Sequence, residues 1–560
     1  MSGPTAAGGR RGLDLRHPFP ETLKYAARRE RRPHPDPGRP IFEHLCDSRI
    51  NSLPTSRVCG RRVTDHYLVA VLSLPRGTTF KHTLRVPGIY SAGLWMLAQC
   101  REEELVQAPP ESDLELLPLP PKNPMPYWQR IQAARSFHTG TERLRDAGGP
   151  VTCLTLGPRW LIPPIVLATS PRAIRDILSI KDDAVDKTSP VFDEMRRVMG
   201  ANLANLPYQP WMSRRRTLQP VFTKQRVREF GGHMAQAAEM VCDQWRDGGE
   251  VDLDAESRKL TLRALGRSVL GIDLDQRADA IAEPLRVALK YSVDRALCPL
   301  SAPWWLPTPA RRRARTASAT VHRLAQEILR TCRSDPTSDA PLVHALIAAR
   351  DPVTGRSLTD EQICNELIVF LFAGHDTTAT TLTYALWALG RNAEHQDRLA
   401  AEVADLPHRR LTPDDVPRLA YTVQVLRESL RLCPPAPTGT RLARRDVEVG
   451  GYRVEAGTML AFGRMAVQRD PTLWEDPLTF DPDRFSPDKM KKLDRWQYIP
   501  FGGGPRSCIG DHFAMLQATL ALATVIRRVK IHSLDDEFPV ALHFTMVADG
   551  PIRARVQRRD

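Results

Sequence analysis

Cys508 closes the run Phe501 to Gly510, FGGGPRSCIG, just ahead of an apolar pattern from Asp511 to Ile526. Three consecutive glycines, Gly502 to Gly504, let a backbone turn tightly and lie against something flat, because glycine tolerates positive φ. The apolar pattern reads as a helix, which places Cys508 at a helix N-terminus, where free amide N–H groups and the helix dipole favour a thiolate. A thiolate in a glycine-lined pocket suits axial ligation of a haem iron, pushing electron density onto the metal and favouring O–O cleavage. The competing account is a packing cysteine, since most free cysteines are buried and inert.

A second constellation lies inside a long apolar pattern. Thr359-Asp360-Glu361-Gln362 has the form of a capping box, and the pattern then runs to Leu389, where Gly390 offers a stop. Midway stands Ala373-Gly374-His375-Asp376-Thr377-Thr378. Glycine costs a helix interior about 1 kcal/mol relative to alanine, and threonine can bond backward to a carbonyl and bend the helix. Beside a haem, an adjacent carboxylate and hydroxyl can hold water and pass protons; otherwise this is a kinked core helix with one polar face.

Two further pairs share helix faces: Glu428 with Arg431 at i, i+3, and Trp211 with Arg215 at i, i+4. Alone, the first is a surface ion pair worth at most about 1 kcal/mol, and the second is part of a basic surface helix.

The spacing F-x-x-G-x-R-x-C-x-G, filled by Phe501, Gly504, Arg506, Cys508 and Gly510, resembles the haem-binding loop of the cytochrome P-450 family. Ala373 to Thr378 is similar to that family's A-G-x-D/E-T-T helix. Glu428 and Arg431, with Arg484 in Phe480-Asp481-Pro482-Asp483-Arg484-Phe485, resemble its E-x-x-R network, and Trp211 with Arg215 its W-x-x-x-R helix. The resemblance covers Pro118 to Asp560. It implies a mainly α fold with a small β region, holding haem b (iron protoporphyrin IX) between the helix of Asp376 and the loop of Cys508. Cys508 would ligate the iron and Phe501 pack beside the sulfur. Arg506, Trp211, Arg215 and Arg441 would meet the propionates, and Gly510 would let the porphyrin approach. Thr377 would order dioxygen and its water, Asp376 gate the proton supply, and Gly374 make room for the oxygen. Glu428, Arg431 and Arg484 would form a buried charge network behind the loop. His375 is expected on the helix surface, and Gln517, where members often carry glutamate, is expected to alter only a surface detail.

The implied reaction is insertion of one atom of O2 into an apolar substrate, a lipid, terpenoid or sterol-like compound. A peroxide-using or isomerising haem-thiolate enzyme and a non-catalytic haem sensor are the alternatives. The segments expected to line the pocket are Val191 to Leu206, Ala302 to Pro307, Ala436 to Thr440 and Phe544 to Val547. The chain has neither a glycine-rich dinucleotide fingerprint nor a cysteine cluster for iron–sulfur, so electrons would come from a separate ferredoxin and ferredoxin reductase. Arg214 and Arg216 are expected to face partly outward and offer such a carrier a basic docking face.

The 560 residues include 42% hydrophobic ones, material for a sizeable core, and carry a net charge of +14 dominated by arginine, which suggests either acidic partners or merely a high-GC genome. No lysine-rich run interleaved with aromatics supports nucleic-acid binding. Ten cysteines without C-x-x-C pairs argue against a disulfide framework or zinc ribbon and for a reducing compartment. No segment reaches the ~18 apolar residues of a membrane span, and the start lacks a signal-peptide core, so a cytoplasmic location without a transmembrane anchor is expected. Residues 1–117, rich in Arg, Pro and Gly, read as a poorly ordered extension, either a start placed too far upstream or a partner-binding arm. Residues 118–560 read as the catalytic domain. Within it, Val151 to Leu156 and Ile165 to Ala168 are predicted as paired strands before a helix opened by Ser170-Pro171, and shorter strands return near Val447 to Met459.

Overall fold

The computed structural model describes residues 68–70, 82–84, 114–271, 278–296 and 305–559. The chain divides into two compact units, Met1–Glu104 and Leu105–Asp560. In the first, Leu68–Ala70 pairs antiparallel with His82–Leu84; the expected disorder of the extension otherwise lies outside the described residues. In the second, Leu114 is already buried, so packed chain begins ahead of the expected boundary at Pro118.

Apolar alternation yields β1 (Val151–Leu154) and β2 (Ile165–Ala168), paired antiparallel as predicted. A helix follows at Pro171–Leu178, its N-terminus capped by Ser170, whose hydroxyl accepts from the Ala173 amide. The short β3 (Val185–Asp186) comes next, then α1 (Tyr208–Leu218) and α2 (Leu253–Leu265). The helix α3 (Asp360–Arg391) is 32 residues long. It is followed by α4 (Ala420–Leu432), β4 (Thr438–Ala443), β5 (Met459–Gly463), α5 (Asp511–Arg528), β6 (Val540–Leu542) and β7 (Met546–Ala548). The five-stranded sheet has the order β1-β2-β5-β4-β3. Its β2–β5 pairing is parallel, and β4 runs antiparallel to β5 with Arg441 opposite Leu460. Residues 438–440, within a segment expected to line the pocket, thus belong to a strand, because β5 supplies the ladder partner. β6 and β7 form an antiparallel hairpin with the turn His543-Phe544-Thr545.

The capping box forms as predicted: the Gln362 amide donates to Thr359 Oγ1 at 3.2 Å, and the Thr359 amide to Gln362 Oε1 at 3.0 Å. Gly390 does not stop α3, which continues to Arg391 with Asn392 as its C-cap. An added Cβ at Gly390 would lie 2.4 Å from Ser533 Oγ, so glycine there permits close approach of a neighbouring strand. The main core gathers around α3 and α5, with Ile363, Leu367, Leu371 and Leu382 of the one and Leu520, Leu522 and Ile526 of the other. The helix following Cys508 is thereby locked against the one carrying Asp376. Among the described residues no helix is long and apolar enough to cross a membrane.

Candidate functional site

The glycine loop is shaped by contacts a side chain would forbid. Gly502 and Gly504 have φ of 74° and 66°, and a Cβ on Gly504 would sit 1.9 Å from the carbonyl oxygen of Leu178. Gly503 passes the Trp496 ring, whose Cζ3 an added Cβ would approach to 2.4 Å. The loop closes on itself through the Cys508 amide, which donates to the Phe501 carbonyl at 2.9 Å. Gly510 differs, since a Cβ there would have no other protein atom within 4 Å.

Of the six described free cysteines only Cys508 is exposed. The residue as a whole is exposed, yet protein encloses the thiol closely enough that burial raises it. The Gly510 amide, Arg215 and Arg464 draw it down, and Asp511 raises it. The expected stabilisation of a thiolate by the helix start is therefore outweighed by desolvation: the pull toward an anion is present but is not by itself sufficient. Among the described residues no three His, Cys, Asp or Glu side chains converge as a metal-ion site.

Around the loop the charge is lopsided. Arg506 donates to Asp186 Oδ1 at 2.7 Å and to the Leu206 carbonyl at 2.9 Å, and lies 4.6 Å above the Trp211 ring. Arg215 donates to the Ser507 carbonyl at 3.0 Å, joining α1 to the cysteine loop. Arg441 donates only to its neighbour's carbonyl, Thr440 O. Arg464, just past β5, donates to Ala436 O and Thr438 O at 2.5 and 3.0 Å, and Lys187 donates to Ala204 O at 2.6 Å. Burial first, then mutual repulsion, pushes Arg441 down to about 9, and burial pushes Arg464 to about 10. Lys187 is held well below its ordinary value by burial and by Arg441, Arg506 and Arg464. Lys187, Arg441 and Arg506 thus share Asp186 as their one neighbouring carboxylate, while Arg464 faces only the Cys508 sulfur, a concentration of enclosed positive charge that calls for an anionic partner. The sequence reading placed Trp211, Arg215, Arg441 and Arg506 in this neighbourhood. Arg506, expected at a propionate, is here paired with Asp186, and Arg464 and Lys187 join the group although no local pattern distinguishes them from the chain's many other basic residues.

On α3, Ala373 is exposed and Gly374, Asp376 and Thr377 are half-buried within a helix otherwise largely enclosed. Thr377 donates backward to the Ala373 carbonyl at 2.6 Å. The missing Cβ of Gly374 faces Leu265 of α2, 3.1 Å from its Cδ1, so on that side the glycine makes room for a neighbouring helix. Asp376 is held from two directions: Oδ1 by Arg258 of α2 and Oδ2 by the Thr545 hydroxyl at 2.8 Å. Arg258 also donates to Asp254 at 2.7 Å. Burial would raise Asp376, but Arg258, His375 and the two hydrogen bonds outweigh it and hold the carboxyl low.

His375 is not on the surface. It is buried at 5% exposure, with Nδ1 3.0 Å from Thr261 Oγ1, and burial pushes it down to about 4. Gln517 is likewise fully enclosed and donates to the Thr261 carbonyl at 3.2 Å; both corrections arise because α2 covers faces that the sequence leaves open.

Behind the loop, Glu428 and Arg431 are both 0% exposed. Arg431 grips the carboxylate with two bonds of 2.7 and 2.8 Å and donates to the carbonyls of Gln468, Pro477 and Thr479. Arg484 Nε lies 3.5 Å from Glu428 Oε1, and the Asp481 amide also donates to that oxygen, so the meander segment is tied to α4 through one carboxylate. Arg214 does not face outward as expected: it is buried against Glu366 of α3. Arg216 is partly exposed as expected, but is bound to Asp351. Of the expected pocket segments, residues 302–304 lie outside the described residues, and Trp305 is on the surface.

A family model described as Cytochrome P450 matches residues 118–556. Cyclooctatin synthase of Streptomyces melanosporofaciens is 33% identical over 391 residues, 69% of this chain and 84% of that protein. Pentalenene oxygenase of Streptomyces avermitilis is 31% identical over 423 residues, covering 74% and 91%. The cytochrome P450DA heme domain matches the fold with a TM-score of 0.68 over 79% of this chain and 98% of that one, at 24% identity.

Proposed function

The chain belongs to the cytochrome P450 family, and from that premise we propose that Cys508 ligates the iron of a haem b whose propionates are met by Arg441, Arg464, Arg215 and Lys187. The protein is a haem-dependent P450 monooxygenase. When bound, the haem activates dioxygen so that one oxygen atom enters the substrate and the other leaves as water. The observation that carries the assignment is the coincidence of Cys508, the one exposed cysteine among the described residues, with a nest of largely enclosed cations that lacks enough carboxylates. Gly510, with nothing near its absent Cβ, leaves space for the face of a flat group, beside which Phe501 would pack against the sulfur.

In this reading Arg215 and Arg464 hold negative charge near Cys508, while the Gly510 amide donates to the sulfur. Thr377 orders water at the opening in α3, and Asp376 moves protons to it from the side of Arg258 and Asp254. Glu428, Arg431 and Arg484 keep the cysteine loop in place. Electrons come from separate carriers, a ferredoxin and its reductase.

The substrate is an apolar terpenoid- or lipid-like compound, oxidised at a C–H or C=C bond. The names of two relatives support this: pentalenene, whose ending denotes an alkene, and cyclooctat-9-en-7-ol, an alkene with one hydroxyl. The test is the spectrum of the haem-reconstituted protein, reduced and exposed to carbon monoxide. The red-shifted band of thiolate coordination is expected, and Cys508→His should retain haem but lose that band. A wild-type protein without the band would end the proposal.

A further inference from the structure

The turn between β6 and β7 is fastened to α3 at three successive residues. Phe544 meets Phe372 edge-on, ring centroids 5.5 Å apart at 67°. The Thr545 hydroxyl donates to Asp376 Oδ2 at 2.8 Å, and Thr380, one helical turn beyond Asp376, donates to the Met546 carbonyl at 3.2 Å. Met546 is also anchored through its amide, which donates to the Pro435 carbonyl at 2.8 Å. Thr545 is buried and Phe544 only partly so.

Both oxygens of Asp376 are therefore engaged, one by Arg258 and one by Thr545. A carboxylate gripped on both oxygens cannot turn. To carry a proton from the side of Arg258 and Asp254 toward Thr377 it must let go of one partner, and the two hooks differ in kind. Arg258 is itself held by Asp254 on the same helix and is part of a rigid element. Thr545 sits in a turn whose neighbouring residue, Phe544, presents a partly open aromatic ring beside Phe372. We propose that Thr545 is a positioning residue for proton delivery, holding Asp376 in a set orientation and tying that orientation to the β6–β7 hairpin.

This rests on the reading of Asp376 as the proton-handling acid. Where protons arrive wrongly, two electrons and two protons reduce dioxygen to hydrogen peroxide instead of oxygenating the substrate. The readout is therefore peroxide formed per reducing equivalent supplied by ferredoxin and its reductase, with substrate present. Thr545→Val keeps shape and removes the hydroxyl; it should raise that fraction about fivefold, the factor of one lost hydrogen bond, with haem content unchanged. Thr545→Ser should restore the wild-type value, which a merely space-filling role would not require. Asp376→Asn should also raise the fraction, and the double variant should be no worse than Asp376→Asn alone, because the two act through one bond. Independently of turnover, amide exchange over residues 543–548 should quicken in both Thr545→Val and Asp376→Asn.

Additive effects in the double variant, failure of serine to rescue, or unchanged peroxide in Thr545→Val beside a raised fraction in Asp376→Asn would overturn the role of Thr545 and leave that of Asp376 standing. An unaltered Asp376→Asn would remove both.

Discussion

Arg441 and Arg464 share one ring: their guanidinium carbons lie 5.6 and 5.1 Å from the centroid of Phe462. Neither is ion-paired to a carboxylate among the described residues, and both are pushed well below the ordinary arginine value, to about 9 and about 10, by burial. Two like charges kept from water around one phenylalanine are a cost to the fold that only an anionic guest offsets.

Arg464→Gln should therefore separate folding from haem retention. It keeps donors for Ala436 and Thr438 but removes one buried charge. The melting temperature of the haem-free protein should stay constant or rise, while the haem dissociation constant should increase roughly tenfold, as expected for a charge-assisted hydrogen bond. A haem-free protein destabilised as much as the complex would contradict this account.

The pair Arg214–Glu366 supplies a pH test. Burial pushes Glu366 up to about 7, with Arg214 and the Leu203 amide drawing it down. Because its folded value exceeds its ordinary one, the native state binds the proton more readily between about pH 4.5 and 7. Glu366 thus lowers stability as pH rises through that window, and its contribution is level above it. Arg214→Leu removes the compensating charge and pushes the carboxyl higher still. Urea unfolding should show a loss of about 3–5 kcal/mol near pH 8 and a clearly smaller one near pH 5.5. His375, with a folded value near 4, has the opposite slope and is common to both proteins. Equal losses at the two pH values would refute the assignment.

Thr377→Ala should leave haem binding intact and divert electrons to peroxide, with product per electron falling about tenfold. Equal coupling in variant and wild type would exclude Thr377 from proton handling.

Gly504 and Gly510 should respond differently to alanine. At Gly504 the Cβ would meet a backbone carbonyl at 1.9 Å with φ at +66°, and no rotamer relieves that. Chemical unfolding of the haem-free protein should show a loss of at least about 2 kcal/mol. At Gly510 the Cβ meets no protein atom within 4 Å, so Gly510→Ala should leave the haem-free protein as stable as wild type and weaken haem binding alone. Equal stability losses would show that both glycines serve the polypeptide only.

Much of the site was legible because its signals are local. The capping box at Thr359 and Gln362, the strand pair at Val151 and Ile165 and the glycine loop each depend on neighbours within a few residues, so spacing alone specifies them. The reading failed where the outcome depended on what a helix meets. His375 and Gln517 read as surface residues because nothing in their own helices shows that α2 lies over both. Gly390 read as a stop, but Ser533 approaches it from more than a hundred residues away.

The sequence by itself determined the chemistry available: a cysteine at a helix start, an acid beside an alcohol in a long helix, a carboxylate and an arginine one turn apart. Tertiary structure alone decided the charge balance and the restraint. Lys187, Arg441, Arg464 and Arg506 converge from separate segments, and Arg258 and Thr545 reach Asp376 from 118 and 169 residues away. Burial and repulsion depend on distance in space, which residue order does not encode. The same arginine is an ordinary surface group in one fold and half of a buried anion site in another.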